Sequence, residues 1–417
     1  MLKQTIKKII GQQNITAAKQ RLKFVKDERY LQRNSRIRAL DNSLLYSKFS
    51  QQDRHVFFGY YDIQQLDFDE ERMLVHVVNK KANAHKDRAD LGYYDVRTKE
   101  FVSFASTSAW CWQQGSRLRW HPTDSNKVLF NDVENGTYIT RIFDLEKREE
   151  TCRICNALYD METNMSYGLS LNFSRLQRLR PGYGYSALQD KTAQNAAPED
   201  DGVFYVDIER NSVQLLISLA SLSREVSDSD ADQHYINHIS ISPNGKKFMF
   251  FHIWTLKGDT HWRTRLCVYD LESAKMDVLE KEDRVSHYAW KNDEVLVVTC
   301  WDKNKEQYYC TYDLKNGKKT ILQNDQLRSD GHPTILRGET SFISDTYPLN
   351  HDMQTLFEYS IEKDIYRPII ELYSDARLYD EKRCDLHPRV SRSEKYISVD
   401  TTCENGCRQV MLLQNWR

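Results

Sequence analysis

From about residue 50 onward the apolar residues come in short runs, strand-like in their alternation, separated by polar turns. A polar turn of the form Ser/Asp-x-(Gly or polar)-(Lys/Arg), followed by a β-branched or aromatic run, recurs along the chain. Its copies lie at Leu66–Val78, Trp120–Asn131, Leu171–Tyr185, Ile241–His252, Ala289–Cys300, His332–Asp345 and His387–Asp400, the third being the most degenerate. A second tag follows each copy: YYDV at 93–96, IFDL at 142–145, YVDI at 205–208, VYDL at 268–271 and TYDL at 311–314, then the divergent EYSI at 358–361 and VMLL at 410–413. From Asp95 to Leu412 the six steps average about 53 residues, the period of four-stranded propeller blades.

A single four-stranded sheet cannot bury both its faces, so such units stack radially and cover one another. The pattern predicts an all-β, seven-bladed β-propeller over residues 51–417, preceded by an arm, residues 1–50, that is partly helical. The last blade runs out of chain after its third strand, and an open edge is a liability. A strand near Leu44–Phe49 is expected to complete it.

The formal net charge of -1 conceals an asymmetry. Residues 1–50 hold 12 Lys/Arg and 3 Asp/Glu, a surplus of +9, which leaves 47 against 57, or -10, for the rest. A basic arm on an acidic body suits an anionic partner. Leu2, Ile6, Ile9 and Ile10 alternate with Lys3, Lys7 and Lys8 at helical spacing, which fits an amphipathic helix on a membrane interface or on its own domain and not a secretory signal. Nine cysteines without framework spacing fit a reducing compartment, so a cytoplasmic monomer in peripheral contact with a membrane is expected. No P-loop, dinucleotide fingerprint, His-Glu-x-x-His or Gly-x-Ser-x-Gly is present.

Candidate chemistry gathers at the starts of innermost strands, which face the central channel. Asn237-His238, Ser286-His287, Asp330-Gly331-His332 and Cys384-Asp-Leu-His387 put a histidine at equivalent points of four successive blades. Cys384, His387 and His332, with His287 or Asp330 as the fourth, are ligand types suited to a closed, structural zinc (Zn2+) site. Earlier in the chain, His55–Asp62, Trp110–Gly115, Arg117, Arg119 and the Arg178–Tyr185 loop combine aromatic rings with amides and guanidinium forks. Such a set suits a saccharide: rings pack on sugar faces and arginines hold carboxylates.

FGYYD at 58–62, QQG at 113–115, NHISISPNGKKFMF at 237–250, SHYAW at 286–290, DGHP at 330–333 and RCDLHPR at 383–389 together resemble the seven-bladed propeller polysaccharide lyases of the ulvan-lyase and oligogalacturonate-lyase type and their bacterial relatives. The resemblance implies β-elimination at uronate linkages of an acidic poly- or oligosaccharide, with a His/Tyr pair, an Arg or Asn on the carboxylate, and a bound metal. Carried over, it nominates His55, Tyr61, Arg180, Tyr185, Asn237 and His238 for catalysis, and His287, His332, Cys384 and His387 for the metal. The second and third blades offer Trp112, Gln113 and Tyr167 instead of further histidines. That keeps a second reading open: a non-catalytic propeller that binds glycan or protein partners in bacterial surface-polysaccharide metabolism. Nucleic acid is not an expected partner under either reading.

Overall fold

The computed structural model describes residues 12–258, 262–404 and 406–417, with backbone alone for 12–14. The apolar-basic stretch from Leu2 to Ile10 lies outside the described residues. Seven antiparallel sheets follow one another around a ring. Blades 1 to 7 begin with innermost strands Arg54–Phe57, Arg119–Trp120, Asp160–Met161, Ala231–Ile241, Arg284–Asn292, Thr334–Ile335 and Arg389–Val390. The two middle strands of a blade are buried almost throughout, as Arg72–Asn79 and Lys247–Leu256 are, because neighbouring blades cover both their faces. Outermost strands are the exposed ones, as in Ser212–Ser218 of blade 3.

The recurrent turn has a common geometry. Glu70, Met165, Gly245, Glu339 and Glu394 each donate a backbone N–H to the carbonyl three residues back, and each has a left-handed φ between 58° and 72°. Only Gly245 is a glycine; a Cβ there would come within 2.9 Å of the Glu162 side chain in the adjacent blade. This corrects the third copy. Its turn and strand are Glu162–Met165 and Tyr167–Ser170, whereas Leu171–Tyr185 holds a short helix, Phe173–Leu179, capped by the Asn172 side chain, and the loop after it.

The ring is closed by chain from before the blades. Leu45–Phe49 pairs with Gln409–Gln414 from Leu45↔Gln414 to Phe49↔Val410 and becomes the fourth strand of blade 7. Phe49 is fully buried in the seam, and Lys48 meets Glu404 at 2.6 Å. Just before it, Ile37–Ala39 adds a fifth strand to blade 6 beside Ile365–Tyr373. Helix α1, Gln12–Leu31, lies against the same blade. Tyr30 stacks on His351 at 3.8 Å, Phe24 lies under Arg377 at 3.9 Å, and the buried Asp27 faces Asp352. Among the described residues no helix is long and apolar enough to cross a membrane.

Candidate metal centre and channel mouth

Blades 4 to 7 deliver His238, His287, His332 and His387 to one place. The rings of His287 and His332 are 4.0 Å apart, those of His332 and His387 4.4 Å, and those of His238 and His287 6.1 Å. At the hub stands Tyr60, whose ring lies between 4.8 and 6.4 Å from all four. All of these side chains are buried.

Three of the histidines are oriented through Nδ1. His332 Nδ1 is 2.8 and 3.0 Å from the two carboxylate oxygens of Asp345, His387 Nδ1 is 2.8 Å from the Gly59 carbonyl, and His287 Nδ1 is 2.9 Å from Asp330. With Nδ1–H donating, each ring turns its Nε2 lone pair inward, as metal-ligating histidines do. The Nε2 atoms of His332 and His387 are buried and have no hydrogen-bond partner. Together with a carboxylate oxygen of Asp385 they form a cluster whose ligand atoms all lie within 4.8 Å of one another. Burial works against a charged His332, but Asp345 outweighs it and raises the pKa; burial lowers that of His387.

The cluster differs from the set expected from the sequence in two members: Asp385 stands where Cys384 was expected, and His287 lies outside it. Asp385 and His387, the latter at a left-handed φ of 45°, share the cluster, while Leu386 goes into the core of blades 6 and 7 and Cys384 is buried with its thiol 3.8 Å from the Asp385 carbonyl. Asp330, the alternative ligand, is bound to His287, to the Thr299 hydroxyl at 2.7 Å and to the Trp301 indole at 3.0 Å. It orients His287.

His238 has a left-handed φ of 56° and lies between two phenols, Tyr60 Oη 3.3 Å from Nε2 and Tyr159 Oη 3.4 Å from Nδ1. Burial first, then His287 and Arg180, hold its pKa well below the usual value, so the ring is neutral. Asn237 beside it is buried, with its Nδ2 unpartnered and its Oδ1 3.5 Å from the Gln114 amide. Arg180, the C-cap of the Phe173–Leu179 helix, lies over Tyr183 at 4.5 Å and Trp262 at 4.6 Å. Arg284 stacks on the other part of this group, 3.6 Å from the centre of Trp262 and 5.1 Å from that of Trp301. Arg180, His238, Trp262 and Arg284 line one narrow pocket of about 10 Å³, room for a single water. Next to it Arg383 holds Asp385 at 3.0 Å and the Tyr183 hydroxyl at 2.6 Å.

Three nominated residues sit otherwise. Tyr61 packs its ring 5.2 Å from His332, but its hydroxyl serves the backbone of Tyr288, giving to the carbonyl at 2.7 Å and accepting from the N–H at 3.0 Å. Tyr185 is in the packing between blades 2 and 3, stacked on Phe173 at 4.2 Å with Asn131 on its hydroxyl. His55 lies against Trp112 and is engaged by backbone on both nitrogens, Arg408 N–H at 2.9 Å and the Lys80 carbonyl at 3.1 Å. Of the other early candidates, Arg117 is spent on a two-pronged pair with Asp62 at 3.0 and 2.8 Å.

No family model and no curated protein matches the sequence. Solved structures do match. Oligogalacturonate lyase in complex with manganese superposes with a TM-score of 0.60 at 11% identity, over 89% of this chain and 96% of that one. The chain has the fold of the oligogalacturonate lyases. The enzyme of that name from Vibrio parahaemolyticus gives the same TM-score, 0.60, at 10% identity over 89% and 96% of the two chains. The β-propeller domain of the Trilobed protease from Pyrococcus furiosus, with its open velcro topology, matches at 0.51 and 10% identity over 88% and 95%. At these identities the propeller is what is shared.

Proposed function

We propose that this chain is a lyase-like propeller that cleaves uronate-containing poly- or oligosaccharide by β-elimination, with a divalent cation at the channel axis. One observation carries the reading: two buried Nε2 lone pairs and the Asp385 carboxylate converge beside a neutral imidazole, His238, at an arginine-lined mouth. The donors fit a divalent cation, with His332, His387 and Asp385 as its ligands and the ring of His287 packed 4.0 Å from that of His332. With Cys384 outside the set, nothing in these nitrogen and oxygen donors singles out zinc, and manganese suits them as well. When bound, such an ion supplies positive charge against the carboxylate of the substrate.

The protein's own groups supply the rest. Arg180 and Arg284 hold the carboxylate, which makes the C5 proton more acidic. His238 takes that proton, the electron pair closes the C4=C5 double bond, and the C4–O bond breaks. A phenol in contact with His238, Tyr60 or Tyr159, returns a proton to the departing oxygen; burial raises both their pKa values, so they are protonated donors. Tyr61 gives up this role to them because its hydroxyl is committed to Tyr288. The test is incubation with polygalacturonate and related uronate polymers in the presence of Mn2+, following the ultraviolet absorbance of the unsaturated product. Product is expected, and His238→Ala should lower its rate by about 10²–10⁴-fold. Failure of the manganese-loaded protein on every polymer would sink the reading.

The tightness of the mouth favours a second reading, a propeller that binds glycan or protein without cleaving. A pocket of about 10 Å³ beside His238 does not admit a sugar unless the Arg180–Trp262–Arg284 stack moves. Retention of polygalacturonate in affinity electrophoresis, with no product, would select it.

A further inference from the structure

Helix α1 sorts its charges by face. Asp27 is buried against Asp352 and Lys23 reaches Asp352 on the side that touches the propeller, while Glu28, on the flank of the helix, pairs with Arg36. Ala18, Leu22, Val25 and Arg29 fall at i, i+4, i+7 and i+11, one outward stripe of the helix. Leu22 is 64% exposed and Val25 47%. Lys19, Arg21 and Lys26 flank the stripe, all exposed, and no ion pair or hydrogen bond involves their side chains or that of Arg29. Among the described residues the outward face thus carries four cations without side-chain partners around two exposed aliphatic side chains, and the acid at its edge, Glu28, is neutralised by Arg36. The eleven residues before it in the sequence add Lys3, Lys7 and Lys8 and only apolar or uncharged residues.

We infer that this face of α1 is a docking surface for an anionic lipid bilayer, lying in the plane of the headgroups with Leu22 and Val25 as shallow anchors. Charge complementarity is the reason. A helix of 20 residues is about 30 Å long and presents its cations on both flanks of one stripe, a geometry that matches a flat field of negative headgroups. The acidic ring, with its surplus of ten negative charges outside residues 1–50, is repelled by the same surface. Contact through α1 therefore orients the molecule, blade 6 toward the membrane. The inference does not depend on whether the channel is catalytic.

The experiment is co-sedimentation of the full chain with vesicles of phosphatidylcholine, with and without phosphatidylglycerol, at low and high salt. Binding is expected only with phosphatidylglycerol and should fade as salt screens the charges. Lys19→Glu/Lys26→Glu/Arg29→Glu should lower the partition coefficient at least about 100-fold, since each cation near such a surface is worth roughly a factor of five. The melting temperature should hold, because these side chains have no partners to lose. Leu22→Ser/Val25→Ser should weaken binding without changing its salt dependence. Lys303→Glu/Lys305→Glu, on the exposed turn of blade 5, should bind as the parent does. Absence of binding to phosphatidylglycerol vesicles, or a triple variant that binds undiminished, would overturn the inference. Stronger retention on soluble polygalacturonate than on vesicles, lost in the same triple variant, would overturn it in favour of a saccharide surface.

Discussion

The histidines on the channel axis and those inside the blades are equally buried, yet they are wired in opposite directions. In the blades each neutral ring is closed by a donor. His55 accepts from the Arg408 backbone and gives Nε2–H to the Lys80 carbonyl. His252 accepts from Arg265 Nε at 3.1 Å and passes its other proton to His234 Nδ1 at 3.0 Å. His76 accepts from the Ser116 N–H at 2.9 Å on Nε2, and its Nδ1 is buried without a partner. On the axis the order is reversed: His287, His332 and His387 spend Nδ1 on an oxygen, and His332 and His387 keep a buried Nε2 with nothing to bind. Burial is common to both groups, so burial says nothing about chemistry. Unpartnered Nε2 atoms on two rings gathered beside a carboxylate do.

The sharpest way to break this contrast is to remove the axial pair. His332→Ala/His387→Ala should abolish Mn2+ binding measured by calorimetry, a loss well beyond the 10–100-fold that an outer partner commands, and His55→Ala should leave it intact. Equal losses from both would erase the distinction. Asp345→Asn keeps both axial rings but exchanges a carboxylate that orients His332 for an amide; manganese affinity is expected to fall about 10–100-fold with a small change in melting temperature. In the blades the signs exchange. His252→Ala leaves Arg265 Nε and His234 Nδ1 without partners, and unfolding titration should show a loss of about 2–3 kcal/mol with unchanged cation affinity.

Acid sharpens the comparison from another side. Burial holds the pKa of His55 and of His234 down at about 4 and that of His76 at about 3, against an ordinary 6.5. Below 6.5 the unfolded chain binds protons that the folded one refuses, so stability is full above that pH and falls as pH drops toward 4. The slope is about 1.4 kcal/mol per pH unit for each such ring. His55→Gln should flatten part of that slope. The smallest effect has the opposite sign. Burial against Asp352 raises the Asp27 pKa from 3.8 to about 7, so the stabilisation it lends to α1 declines as pH rises from 3.8 and is gone above about 7. Limited proteolysis within α1 should quicken between pH 4 and 7, and Asp27→Asn should remove that dependence.

The blades were legible because one turn recurs with one hydrogen bond, whatever residue occupies its left-handed position. Blade 3 was misplaced because a helix and loop are inserted right after its second strand, where Leu171–Tyr185 carries a similar run of basic and aromatic residues. The four axial histidines were legible from their equivalent positions. Asp385 was not singled out because Cys-x-x-His looks like a metal motif, and the irregular backbone from 383 to 388, left-handed at His387, gives no period from which to choose between Cys384 and Asp385. Asp345 lies thirteen residues from His332, at the end of the next strand, and pairing register alone brings them together. Arg284 and Trp262 come from separate strands of blades 5 and 4, and nothing local in the sequence marks their stacking.

The seam between Leu45–Phe49 and Gln409–Gln414 also sets a clock on biosynthesis. Strand Leu45–Phe49 leaves the ribosome well before its partner in the sheet, Gln409–Gln414. At about 5–20 residues per second, the roughly 360 residues between them take some 20–70 s to appear. Through that interval six blades can form and stack while an apolar strand ending in Phe49 waits without an edge to join. The ring thus stays open until Gln409–Gln414 has been made.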